Sequence, residues 1–377
     1  MSVVFAIGLC GALLFVAGVL HVPITAVAAA TAALIAIAVS ARFAVRSAQS
    51  RLGIADAVLA IPIIVVTFAA AIVPLNDYDG RAFWMLKAKG IAHDHAIDGP
   101  FFHGAEVEAP RNDYPLLIPL DTATVMMISG SLDDRVPRFI YIIIFIAFVL
   151  MVRAELGAWT AALLAWIPMI TIAPDGGAIS AYCDVALAAF AAGAFFELIR
   201  GTNPWRFGAW IAFVVLTKRE GVPLGLALLV IGAFVFRKRF VFALIAPVIA
   251  MVTLIVWRSR IPQGDEENLF ALFTTLPEKL HRLPYAVIGF VQHLVSPMWG
   301  LFWCGAIVAL GVLAFRRQWR NFTICASAMA GAFAVCIVAY TITTWIQVDL
   351  INSSADRLLM HGVAPALYAI SRSTLKK

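Results

Sequence analysis

The sequence predicts an all-α polytopic membrane protein, and three observations carry that prediction. Apolar residues make up 62% of the chain and charged residues only 13%, against about 25% charged in soluble domains. The mean hydropathy is +0.93. The apolar residues fall in long runs, as spanning helices require, and not in alternating ten-residue segments, as a barrel would. The chain is therefore expected to carry about twelve transmembrane helices. Between the third and fourth lies an unusually long polar connection, from Asn76 to Asp121. A connection of that length is functional or disordered; the aromatics Tyr78, Phe83, Trp84, Phe101, Phe102 and Tyr114 among its charges argue for a folded, functional loop.

The apolar runs read as helices over 3–19, 22–41, 54–74, 138–152, 157–173, 178–199, 207–217, 221–236, 240–257, 300–315, 322–345 and 357–371. Several fall short of the ~20 residues a perpendicular span needs, so kinks or re-entrant turns are expected. The run 116–131 is short, contains Asp121 and ends in glycine and serine turns, so it is expected to lie as a juxtamembrane helix at the membrane surface. Arg81 to Gly90 reads as another short helix in the loop. This divides the chain into an extra N-terminal helical hairpin, 1–53, and a membrane domain, 54–377, with the outer loop at 75–137. Val3 to Val19 lacks a basic leader and a polar chain after it, so no cleavable signal peptide is expected. The five cysteines lie in or beside apolar runs, without metal-ligand spacing or a loop pair suited to a disulfide.

The net charge of +6 and the pI of 9.2 reflect topology here, and no nucleic-acid partner is expected. With the N-terminus in the cytoplasm, and with 116–131 and 285–299 not crossing, 15 of the 28 Arg and Lys fall on the cytoplasmic side. Only Asp56, Glu155 and Glu197 of the 22 acids fall there. By the positive-inside rule both termini are cytoplasmic, and the long loop faces the periplasm or exterior of a plasma (inner) membrane. The same parity brings Pro174 to Asp184, Lys218 to Gly221, 258–284 and Gln347 to Arg357 to the outer face. That convergence points to a site at the outer leaflet.

Each candidate residue there has two readings. Asp77 and Asp79, followed by Arg81, suit an interfacial turn, or a carboxylate base that deprotonates a hydroxyl. Lys87 and Lys89 could neutralise a phosphate or snorkel from an interfacial helix. Asp184 is a helix cap or a near-membrane functional acid. Lys218, Arg219 and Glu220 break an apolar run from Ile211 to Phe236; two cations on an outer turn oppose the charge rule and need either a lipid phosphate or neighbouring acids. Asp356 and Arg357 lead into the last helix, Arg357 as anchor or ligand, with His361 one turn on as a core histidine or a ligand. His93, His95 and His103 could hold a divalent metal ion if that loop is extended; no other cofactor is indicated.

These residues resemble a known family. Asn76-Asp77-Tyr78-Asp79-Gly80, Phe83-Trp84 and Lys87-Ala88-Lys89 resemble the first outer loop of bacterial relatives of protein O-mannosyltransferases, in the GT-C superfamily of polyprenyl-phosphate-sugar glycosyltransferases. Asn112-Asp113-Tyr114-Pro115 is similar to the segment before a juxtamembrane helix, and Asp134-Arg135-Val136-Pro137-Arg138 to the start of the next span. Tyr182-Cys183-Asp184 is similar to a second acidic motif, Lys218-Arg219-Glu220-Gly221 to a lysine–x–glutamate–glycine element, and Ser354-Ala355-Asp356-Arg357 to the start of the final helix. The resemblance runs in order from about 54 to 371. It implies a polyprenyl-phosphate-sugar donor and a hydroxyl acceptor (lipid, glycan or protein), with Asp79 as base. Arg81, Trp84, Asp113 and Tyr114 would border the substrate, and Lys87 or Lys89 with Lys218 or Arg219 would meet the lipid phosphate. The chain departs from the family in its two extra N-terminal spans, in Tyr78 where tryptophan is expected, and in lacking a soluble C-terminal domain. Two other classes stay open: a transporter or flippase of a lipid-linked or acidic substrate, and a non-catalytic subunit of a cell-envelope glycan assembly. The first predicts midplane polar residues and inverted repeats; no repeat is visible and the charges gather at one face.

Overall fold

A computed structural model describes residues 2–42, 53–104, 114–262, 274, 276–343 and 346–374. The described residues are 81% helical, with no strand among them. Among the described residues, five segments are long and apolar enough to cross a membrane: Ser2–Val19, Ile54–Ile72, Phe139–Leu156, Gly221–Arg258 and Trp319–Ile342. The fourth is two helices, Gly221–Phe236 and Val241–Arg258, joined by a 3₁₀ turn at Arg237–Phe240. Shorter apolar helices complete the bundle.

In chain order the helices used below are α1 (Ser2–Val19), α2 (Ala26–Ala41), α3 (Ile54–Ile72), α4 (Leu86–Asp94), α5 (Leu117–Ser129), α6 (Phe139–Leu156), α7 (Ala158–Ala165) and α8 (Asp184–Arg200). They continue as α9 (Pro204–Thr217), α10 (Gly221–Phe236), α11 (Val241–Arg258), α12 (Leu283–His293), α13 (Phe302–Phe315), α14 (Trp319–Ile342), α15 (Gln347–Leu358) and α16 (Val363–Thr374). The expected helix over 157–173 is broken, because Ile167 is extended ahead of Pro168 and a second short turn follows. The expected last helix is preceded by a separate amphipathic one, α15, whose buried face is Ile351, Ser354, Ala355 and Leu358.

The centre of the bundle is α8, in which every residue from Asp184 to Leu198 is buried. Helices that are apolar on all sides belong in the interior, and α1 joins α8 there. Phe5 meets Trp210 and Phe213 edge-on, and Phe15 meets Trp257 the same way. The N-terminal hairpin is thus part of the core. The 116–131 run also differs from expectation: α5 is buried from Leu117 to Thr124, enclosed by α1, α2 and α4. Its place is inside the protein, where Asp121 is 4% exposed.

The three acids assigned to the cytoplasmic side lie together at one end of the bundle, and each is paired. Asp56 accepts from Arg153 at 2.6 Å. Glu155 pairs with Arg200, and Glu197 with Arg200 at 2.8 Å and Arg206 at 3.1 Å. The described charged residues of the long loop, among them Asp79 and Lys87, gather at the other end.

Candidate functional site

The site begins where α3 ends. A π-helix, Gly80–Met85, starts directly after Asp79 and runs into α4; such wide turns are frequent at functional sites. Gly80 has a local reason: a Cβ there would lie 2.2 Å from the Ser180 carbonyl oxygen. Its absence lets this turn press against the segment before α8 and carries Asp79 to Tyr182. Gly221 serves the facing turn in the same way, since its Cβ would meet the Val214 carbonyl oxygen at 1.9 Å. That close return folds Lys218 and Glu220 back over α8.

Four elements therefore deliver charges to one place. Asp184, the first residue of α8, is fully buried and accepts from Lys218 Nζ at 2.8 Å. Glu220 lies 3.5 Å from the same nitrogen. Burial disfavours the Lys218 ammonium, but Asp184 and then Glu220 outweigh it and hold its pKa above the ordinary lysine value. Arg357, near the end of α15, donates to Asp79 at 3.2 Å, and its guanidinium sits 5.1 Å over the Tyr182 ring. Lys87 is buried completely, its ammonium 5.6 Å from the Trp84 ring and 5.5 Å from Tyr114. Arg219 also lies over the Tyr114 ring, at 5.2 Å.

Between them is a small cavity, about 10 Å³, lined by Asp79, Phe83, Trp84, Tyr114, Tyr182 and Lys218. Trp84 and Tyr114 form an edge-on pair in its wall. His361 is 4% exposed, and neither of its ring nitrogens has a hydrogen-bond partner among the described residues.

The expected site residues separate into two groups. Asp79, Trp84, Tyr114 and Lys218 line the cavity; Lys87, Asp184, Arg219, Glu220 and Arg357 adjoin these through the pairs above. The remainder lie elsewhere. Arg81 is exposed, and Lys89 pairs with Asp134 at 2.7 Å. Asp77 faces Asp175 and Arg138; its carboxyl is pushed up by partial burial and then by the Asp175 charge, against the pull of Arg138. Asp356 turns its carboxylate to Ser296 (2.6 Å) and His293 (3.2 Å). Asp113 is outside the described residues. Among the described residues no group of three or more His, Cys, Asp or Glu is placed to hold a metal ion. Sequence reasoning missed Tyr182 as a cavity residue, although it stands two before Asp184, and it missed the Trp299 and Ser296 contacts to Asp356, which no spacing announces.

A second, open cavity of about 640 Å³ lies between α7, α13 and α16, lined by apolar side chains that include Leu163, Trp166, Leu301, Val308 and Ile370. Its end at Trp299 adjoins the site: the Trp299 indole donates to the Asp356 carbonyl at 3.0 Å, one residue before Arg357.

The fold and site define a helical membrane protein with a charged, aromatic-walled cavity at one end of its bundle. No family model matches the chain, and neither a curated protein nor a solved structure matches it.

Proposed function

We propose that the chain is an inverting membrane glycosyltransferase that moves a sugar from a polyprenyl-phosphate donor to a hydroxyl acceptor at the outer face of the membrane, with both termini cytoplasmic. The observation that carries this reading is the shared cavity of Asp79 and Lys218, with aromatic walls and Arg219, Lys87 and Arg357 around it. A carboxylate, a set of cations and flat apolar faces are what a base, a phosphate and a sugar ring need. The apolar groove ending at Trp299 suits the donor's hydrocarbon chain. GT-C membership rests on the sequence motifs alone.

In this reading Asp79, oriented by Arg357, takes the proton of the acceptor hydroxyl. The hydroxyl oxygen bonds to the anomeric carbon on the face opposite the phosphate. The carbon–oxygen bond to phosphate breaks, and its electron pair leaves on the polyprenyl phosphate. The phosphate charge falls to the cations gathered around the cavity, Lys218, Arg219 and Lys87. Asp184 is better suited to holding Lys218 than to acting as base, because it does not line the cavity.

Asp79→Asn keeps the size and one oxygen but cannot accept a proton. Transfer from a radiolabelled membrane donor should fall by ~10²–10⁴-fold, while donor binding survives. Asp77→Asn should be milder, since Asp77 faces Arg138. Full turnover in Asp79→Asn would remove the base assignment, and activity in the asparagine variants of Asp77, Asp79 and Asp184 alike would sink the enzyme reading.

A further inference from the structure

The opposite end of the bundle carries a second organised charge feature. There the turn after α8, the 3₁₀ turn Arg237–Phe240 and the turn between α13 and α14 come together. Arg239 donates to the Thr202 carbonyl at 2.9 Å, and Arg320 to the Ile199 carbonyl at 3.0 Å. A Cβ on Gly201 would lie 3.4 Å from Val235 and 3.5 Å from Arg320. Two basic turns, far apart in sequence, are thereby fixed on either side of one helix C-terminus, where cations are favoured.

Arg237, Lys238, Arg239, Arg317 and Arg320 are all exposed. The acids at this end, Asp56, Glu155 and Glu197, are engaged by Arg153, Arg200 and Arg206. Arg237 and Arg317 also adopt positive φ, 50° and 56°, a conformation that glycine would take at less cost. Arginine is present there despite the backbone penalty. Around the patch stand Trp205 (51% exposed, stacked on Phe242), Phe315 (89%) and Trp319 (57%). Large aromatics at this level mark the boundary between hydrocarbon and water.

We infer that this patch is a binding site for anionic phospholipid headgroups. Guanidinium groups give phosphate oxygens two parallel hydrogen bonds, and the preset turns spare the site much of the ordering cost that mobile side chains would carry. The aromatic rim seats the glycerol and upper acyl region. The bland alternative is that these cations only set orientation during insertion. Orientation alone leaves no preference among lipids once the protein is in place. The inference is independent of the proposed transfer reaction.

The test uses the purified full-length protein in a zwitterionic detergent, with phosphatidylglycerol, phosphatidylcholine or inorganic phosphate added, and reads the melting temperature and lipid retention by native mass spectrometry. Phosphatidylglycerol should stabilise the wild type and be retained, with phosphatidylcholine and inorganic phosphate far weaker. In Arg237→Gln/Arg239→Gln/Arg317→Gln the apparent affinity should fall at least about tenfold, given the strength of charge-assisted hydrogen bonds. Arg135→Gln, at the other end of the bundle, should leave it unchanged. Arg317→Gly guards against a folding defect: it relieves the positive φ, so it should raise the lipid-free melting temperature while reducing the phosphatidylglycerol shift. Equal response to both lipids, equal response to inorganic phosphate, or an undiminished shift in the triple variant or in Arg317→Gly would overturn the proposal.

Discussion

The two ends of the bundle use the same materials to different ends. Around Glu197, acids and arginines pair between neighbouring helices: Glu155 on α6 with Arg200 on α8, and Glu197 on α8 with Arg206 on α9. Around Lys218, the pairs join turns and caps, Asp79 to Arg357 across 278 positions and Asp184 to Lys218 across 34. Burial does not separate the two networks, since Glu197 and Asp184 are both fully buried. Imperfect pairing does not separate them either, because each keeps a carboxylate oxygen without a partner. What separates them is the cavity: Asp79 and Lys218 line one, whereas Glu155, Glu197, Arg200 and Arg206 line neither of the two cavities described. A buried ion pair on its own is weak evidence of function; one whose members converge on shared space is stronger.

The comparison breaks most easily at Lys218. Its side chain is 6% exposed and that of Asp184 is fully buried, so Lys218→Met strands a buried carboxylate. The expected cost is ~3–5 kcal/mol, the range for removing one partner of a buried pair. Lys218→Met/Asp184→Leu should recover most of it, because replacing both members with apolar groups is often neutral. Unfolding of the three proteins in a graded denaturing detergent gives the measurement. A double variant no more stable than Lys218→Met would mean that the pair is not the source of the loss.

Much of this arrangement is legible in the sequence, and the rest is hidden for physical reasons. The meeting of Asp79, Asp184, Lys218 and Arg357 follows from span parity, because charges excluded from hydrocarbon must gather at one end or the other. Which loop lysine turns inward does not follow from composition. Lys87 and Lys89 sit two residues apart on α4, about 200° around the helix. One lies between Trp84 and Tyr114, and the other reaches Asp134. The central position of α1 is hidden because an evenly apolar helix names no preferred face. Its small residues were the missed signal: Gly8, Gly11 and Gly18 each sit against a neighbouring chain segment with no room for a Cβ, as close helix packing in membranes requires.

Next in size is Gly80→Ala, which sharpens the comparison by disturbing the site's placement without touching a charge. The added Cβ would stand 2.2 Å from a backbone oxygen that has no soft side chain to yield. Overpacking of this kind costs ~1–3 kcal/mol. If the π-turn is what aims Asp79, sugar transfer should fall further than the stability change explains. Gly311→Ala is the matched control, since nothing lies within 4 Å of its Cβ. Transfer that tracks stability alone in Gly80→Ala would relegate the turn to packing.

The smallest expected effect belongs to Arg206→Met at the other end. Glu197 accepts from Arg200 at 2.8 Å as well as pairing with Arg206 at 3.1 Å. Removing Arg206 therefore leaves the carboxylate charge still compensated, and the loss should be near that of one hydrogen bond, ~1 kcal/mol. Arg200→Met/Arg206→Met removes both cations from Glu197 and also the partner of Glu155, so its cost should exceed the sum of the single variants, as expected for residues sharing one partner. Neither single change should alter sugar transfer, because the network lies at the end away from the cavity. A loss from Arg206→Met as large as that from Lys218→Met would show that redundancy does not protect this network, and the contrast between a stapled end and a working end would have to rest on the cavity alone.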